Sequence, residues 1–197
     1  MKRAGLALMA ASTALAQKPL IEGNPQSVVR GVVYEDLQCP DCAVFRAMLD
    51  DTLLPRFRTS VAFEHRDFPL AKHAWARKAA IVARYFATIS PDLAIEFRKT
   101  TMAHLGGITA EGFNAHVEAF ARAHKTDPAA ALASLNDARL GAEVEADYQD
   151  GVARGVAHTP TVLVDGEPFI ESFPVEDVAK SIERALKANG EDLSRKK

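Results

Sequence analysis

Strand-forming sequence is confined to the two flanks of this chain. From Ala71 to about Val156 apolar residues recur at helical spacing, without a strand pattern. Breaks fall at Ser90-Pro91, Gly106-Gly107 and Asp127-Pro128, with capping residues close by in Ser90, Thr109 and Thr126 or Asp127. That interval reads as four or five helices. Ahead of it, Val28–Tyr34 is a β-branched apolar run suited to a buried strand. Val61–Phe68 alternates Val61, Phe63 and His65 with Ala62, Glu64 and Arg66, the period-2 pattern of a second strand. Between the two, Ala43, Phe45, Met48, Leu49, Leu53 and Leu54 follow helical spacing, and Pro55 marks the end of that helix. A helical crossover predicts parallel pairing of the two strands. After the interval, Pro160–Val164 and Glu167–Ile170 flank Asp165-Gly166, a hairpin turn signal. A last helix opens at Pro174, carries Val178, Ile182, Ala185 and Leu186 as its apolar stripe, and stops at Gly190. Gln17–Ser27 reads as a polar lead-in.

The expected class is therefore α/β: a mixed sheet flanked by helices, with an inserted all-helical subdomain. Residues 1–16 read as a secretory signal peptide. Lys2 and Arg3 precede the apolar Ala4–Leu15, and Ala14-Leu15-Ala16 is a small-x-small cleavage site. The sheet domain is expected over 17–70 and 157–197, and the helical insertion over 71–156. An apolar content of 48% supports an ordinary core without a disulfide scaffold. The net charge of −2 gives no general attraction to nucleic acid. Export implies a periplasmic or secreted protein in an oxidising compartment.

The only two cysteines form Cys39-Pro40-Asp41-Cys42, at the junction of the first strand and its helix. Pro40 suits the first helical position, where its missing N–H costs nothing. Cys39, just ahead of the helix, is expected to be exposed and to face unpaired N–H groups, which favour the thiolate. Two thiols so placed suit reversible disulfide exchange. Half a zinc site is the competing reading, from another class. The six histidines supply no HxxxH pair, although His158 stands next to Thr159-Pro160. Residue 43 is Ala rather than His, against c-type haem attachment. A purely structural bridge across so short a loop would stabilise little. Trp75, Tyr85 and Phe86 read as packing residues, Phe68 and Phe173 as core or groove borders. Glu143, Glu145 and Asp147 read as a solvated helix face.

Several segments together resemble the DsbA-like branch of the thioredoxin superfamily. The first runs from Ile21-Glu22-Gly23-Asn24-Pro25 through Tyr34-Glu35-Asp36-Leu37-Gln38-Cys39-Pro40-Asp41-Cys42. The second is Arg66-Asp67-Phe68-Pro69-Leu70 with His73 and Ala74. The third is Gly155-Val156-Ala157-His158-Thr159-Pro160-Thr161 through Val164-Asp165-Gly166. The resemblance implies a thioredoxin-like sheet carrying a helical insertion, and protein thiol-disulfide oxidoreductase activity without a cofactor or metal. It implies that Pro160 is a cis-proline and that Thr159 stands beside the Cys39 sulfur, where its backbone pairs with an extended substrate. The implied partners are unfolded or partly folded exported proteins with thiols, and a redox partner that recycles the pair. A monomer acting as an oxidase is expected, with isomerase or reductase as the alternative. The chain departs from thioredoxins at Val33, where they carry a buried acid. Glu35 shares strand parity with Val33 and is the candidate proton-transfer residue, whereas Asp36 is expected at the exposed strand end. Asp41 is expected to repel a Cys39 thiolate and raise its pKa.

Overall fold

A computed structural model describes residues 19–190 of the 197. The leader expected over 1–16 lies outside the described residues. Strand β1 (Leu20–Gly23) is followed by β2 (Arg30–Glu35) and helix α1 (Pro40–Met48). The helix continues through one π turn (Leu49–Leu53) into α2 (Leu54–Phe57), and β3 (Ala62–Asp67) follows. The insertion holds α3 (Ala76–Ile89), α4 (Pro91–Ala103), α5 (Phe113–Ala123), α6 (Pro128–Ala133) and α7 (Ala138–Ala153). Strands β4 (Thr161–Val164) and β5 (Glu167–Ile170) and helix α8 (Val175–Ala188) complete the chain.

The five strands form one sheet in the order β1-β3-β2-β4-β5. The β2–β3 pair is parallel and the others antiparallel, so the sheet is mixed. Asp165 and Gly166 both take positive φ, 49° and 89°, as the tight hairpin between β4 and β5 requires. β1 was not expected: its four residues pair with His65 back to Ala62 inside the segment read as a lead-in. Pro55 does not end the helix either. It falls inside α2, and the wider π turn before it receives a Leu54 N–H to Leu49 C=O bond. That widening relieves the clash between a proline ring and the carbonyl four residues back.

Alternation along the strands fixes what each sheet face buries. Val29, Val33, Phe63, Val162 and Val164 meet Phe45, Leu49 and Leu53 from the α1 side and Val178, Ile182 and Leu186 from α8. Tyr34 faces the other way, toward Phe68 and Val156, and Tyr148 of α7 stacks on Phe68. A second core fills the helical subdomain with Trp75, Phe86, Phe97, Phe113 and Phe120, and Leu37, Cys39 and Cys42 reach into it. Ser90 and Asp127 cap their helices through the N–H groups of Leu93 and Ala129. A further break, at Asp137, has its own cap onto Arg139 and Leu140.

Toward their C-terminal ends β2 and β3 exchange apolar rows for ionic ones. Arg98 of α4 bonds Glu35 at 2.8 Å and also pairs with Asp67. Arg84 of α3 lies 2.5 Å from Asp67 and pairs with Asp147 of α7, which also takes Arg66 at 2.8 Å. Asp147 is thus buried among arginines, contrary to the solvated face expected for it. These pairs join three insertion helices to the sheet.

Candidate active site

Cys39 caps α1 in extended conformation, Pro40 is the first helical residue, and Asp41 lies in the first turn. No side chain caps the helix, so its leading N–H groups face the Cys39 sulfur. The residue is 4% exposed and Cys42 0%. Cys39 is therefore more covered than the exposed position expected for it, because the Thr159 loop lies over it. Its thiol donates to the Thr159 carbonyl at 3.3 Å. The Thr159–Pro160 bond is cis. Both cysteines are free thiols.

The two sulfurs titrate in opposite directions. The Cys39 thiol falls from 9.0 to about 6, first through its hydrogen bond with the Cys42 thiol. Burial opposes this, while Thr159 and the backbone N–H groups of Cys42 and Asp41 add to it. The Thr159 hydroxyl is buried without a hydrogen-bond partner. Cys42 is pushed well above 9.0 by burial, by its bond to Cys39, and by the negative charges of Cys39 and Glu35. Near neutrality the reduced pair is a Cys39 thiolate supported by a Cys42 thiol. The expected rise from Asp41 is not met: what Asp41 contributes is its N–H, and the net movement is downward.

Asp36 is 1% exposed, not at an open strand end. Its carboxylate accepts from the N–H groups of Gln38 and Leu70, each at 2.7 Å, and bonds His73 Nδ1 at 2.7 Å. Its own N–H donates to the Cys42 sulfur at 3.3 Å. Asp36 thus ties the loop before Cys39 to the segment entering the insertion. Glu35 does share the buried face of Val33, and it is held there by Arg98 and by His65 Nδ1, both at 2.8 Å. Burial raises the Glu35 carboxyl, but His65 and Arg98 outweigh it and keep the group ionised. His158 points elsewhere, bonding Glu171 at 3.0 Å on the surface. Phe173 packs on Phe45 and, with Asp41, Val44 and Glu171, lines a shallow notch of about 40 Å³ beside the pair. Among the described residues no group of three or more His, Cys, Asp or Glu is arranged to hold a metal ion.

A mixed sheet with a helical insertion, headed by a CxxC pair under a Thr-Pro loop, defines the thioredoxin class of fold. The thioredoxin family model matches residues 15–184, and the chain belongs to that family. Its fold is that of DsbA-like proteins. BdbD from Bacillus subtilis superposes with a TM-score of 0.76 at 21% identity, over 86% of this chain and 93% of that one. The thiol-disulfide exchange protein alpha-DsbA2 from Wolbachia pipientis gives 0.71 at 18%, over 84% and 86%. The catalytic domain of ScsC from Proteus mirabilis gives 0.70 at 15%, over 86% and 89%. No curated protein matches the chain in sequence. No helix among the described residues is long and apolar enough to cross a membrane.

Proposed function

We propose that this protein is an exported thiol-disulfide oxidoreductase that forms disulfides in substrate proteins through Cys39 and Cys42. The observation that carries the reading is the opposed titration of the two thiols at the head of one helix, one lowered to about 6 and one raised. A thiolate is the attacking and the better leaving sulfur in exchange. In the oxidised protein a substrate thiolate attacks Cys39. The Cys39–Cys42 bond breaks, and Cys42 leaves as a thiolate that takes up a proton. The second substrate thiol then displaces Cys39, which departs as a stabilised thiolate. Run backward, Cys42 resolves the mixed disulfide and the protein reduces its partner.

Thr159 offers its carbonyl beside the sulfur, where an extended substrate backbone can pair. Pro40 and Asp41 supply the helix start, and Glu35 is the base for the Cys42 proton. Substrates are unfolded or partly folded exported proteins bearing thiols, and a separate redox partner recharges the pair. A thiol at about 6 lies between those of thioredoxin, about 7, and DsbA, about 3.5. The corresponding potential lies between about −270 and −120 mV. Equilibration with glutathione buffers measures it, and a value at or above that of DsbA refutes the ordering. Oxidase activity is tested by adding oxidised protein to a reduced, unfolded chain. Disulfide formation at the rate of buffer alone refutes the oxidase reading.

A further inference from the structure

Opening the Cys39–Cys42 bond toward a substrate leaves the electron pair on Cys42, a fully buried sulfur. Burial opposes a thiolate there, so the charge needs a hydrogen-bond donor. Among the described residues two groups bond that sulfur: the Cys39 thiol and, at 3.3 Å, the Asp36 N–H. While Cys39 is joined to a substrate it carries no S–H, and the Asp36 N–H is the donor that remains. The direction of that N–H is fixed from three sides. The Glu35 carbonyl of the same peptide accepts from the Phe68 N–H at 2.8 Å, and in a trans peptide the N–H points the opposite way. The Asp36 carbonyl accepts from the Cys39 N–H at 3.0 Å, which closes a turn. The Asp36 carboxylate supplies the third restraint. Its Oδ1 takes the Gln38 N–H at 2.7 Å inside the turn, a bond that asparagine could make equally well. Its Oδ2 crosses to the segment entering α3 and takes the Leu70 N–H and His73 Nδ1, each at 2.7 Å. Gln38 makes the same crossing, accepting the Trp75 N–H at 2.7 Å.

We propose that Asp36 is a positioning residue: its carboxylate, anchored on Leu70 and His73, holds its own N–H on the Cys42 sulfur while that sulfur departs. The inference rests on the oxidoreductase reading above. In the step concerned a thiolate attacks Cys39 and a new S–S bond forms. The Cys39–Cys42 bond breaks, and its electron pair stays on Cys42, which accepts the Asp36 N–H bond and then takes up a proton. A second thiolate next attacks the other sulfur of the mixed disulfide, and Cys39 leaves with the electron pair. Neither Cys42 nor Asp36 takes part in that second displacement, so the first alone depends on Asp36. The sign of the effect separates position from charge. Asp36→Asn removes a negative charge near the departing thiolate, which by itself would speed the departure. It also replaces one acceptor oxygen with an NH₂ donor that cannot bond the Leu70 N–H, and the loosened turn slows the departure.

Oxidised protein mixed with excess reduced glutathione passes through both displacements and yields the reduced pair and glutathione disulfide. Trp75, the sole tryptophan, shares the buried cluster of Cys39 and Cys42 and follows the reaction by fluorescence. The mass of acid-quenched samples counts the mixed disulfide. In Asp36→Asn the first displacement should slow by about fivefold or more, the part of a hydrogen bond to a charged sulfur that is felt while the charge is half formed. The second should stay within about twofold. The Cys39 thiolate of the reduced variant should still titrate at about 6. A first displacement that is unchanged or faster, equal slowing of both, or a variant Cys39 that titrates near 9.0 overturns the positioning role. If Asp36→Asn does not fold, His73→Ala decides, since it removes one anchor and leaves the carboxylate. A slower first displacement alone then supports the role, and an unchanged one overturns it. Failure of the unaltered protein to form any mixed disulfide with glutathione at Cys39 overturns the oxidoreductase reading itself.

Discussion

The lowered Cys39 thiol makes the stability of the reduced protein depend on pH in a defined direction. In the folded state the thiol titrates at about 6, against 9.0 ordinarily. Its depressed pKa gives stability that is fully present above about pH 9, falls as the pH drops, and is lost once the folded thiol is protonated below about 6. Fully expressed, that difference is about 4 kcal/mol at about 1.4 kcal/mol per tenfold. Screening by solvent at the site mouth reduces it to about 2 kcal/mol. Only the lower part of the range is in play between about pH 5 and pH 7, so about 1 kcal/mol is gained there. The assay is urea unfolding of the reduced protein beside Cys39→Ser, which removes the titrating group and leaves Cys42. With a urea slope near 2 kcal/mol per M, the gap between their midpoints should widen by roughly 0.5 M from about pH 5 to pH 7. A gap that does not change with pH, or ultraviolet thiolate absorbance that titrates near the ordinary cysteine value, would refute the reasoning.

Two substitutions test the packing and the ionic layer. An added Cβ at Gly151 of α7 would meet Phe68 Cδ2 at 2.7 Å and Tyr34 Cδ1 at 3.0 Å. Gly151→Ala gains about 1 kcal/mol of helix preference but incurs about 1–3 kcal/mol of overpacking. A net loss is expected in thermal melting, and a raised melting temperature would contradict the close approach. Arg98→Met leaves Glu35 and Asp67 buried with one cation fewer. It should cost about 3–5 kcal/mol in urea unfolding, and a loss under about 1 kcal/mol would argue that the pairs carry little.

Most of the fold was legible because its signals are local. Period-2 alternation marked β3, Asp165-Gly166 marked the hairpin, and Ser90 and Asp127 marked helix starts, all within a few residues of the structure they specify. β1 was not legible because four residues at a sheet edge take their conformation from β3, some forty positions away. The π turn escaped because a proline after a helical run reads the same whether the helix stops or widens. In the site, the cysteine pair was evident from spacing alone. The setting beneath it was mostly not: strand parity with Val33 singled out Glu35, but the other members, Glu22, His65, Arg98 and Asp147, are scattered along the chain, and nothing local joins them. Asp36 and Asp147 illustrate the error. Composition assigns carboxylates to water, and only the assembled backbone reveals the N–H groups and guanidiniums that replace it.

The π turn at Leu49–Leu53 carries a consequence for comparing this chain with its relatives. Hydrogen bonding five residues back rather than four accommodates one extra residue in a helix whose ends are both fixed, α1 by the cysteine pair and α2 by the buried Phe57. A relative whose helix is α-helical throughout spans the same two anchors with one residue fewer. A gap-free alignment would then set Phe57 about 100° out of phase with its true counterpart. The single-residue indel belongs within Leu49–Leu53, where the helix absorbs it without turning either end from its partner.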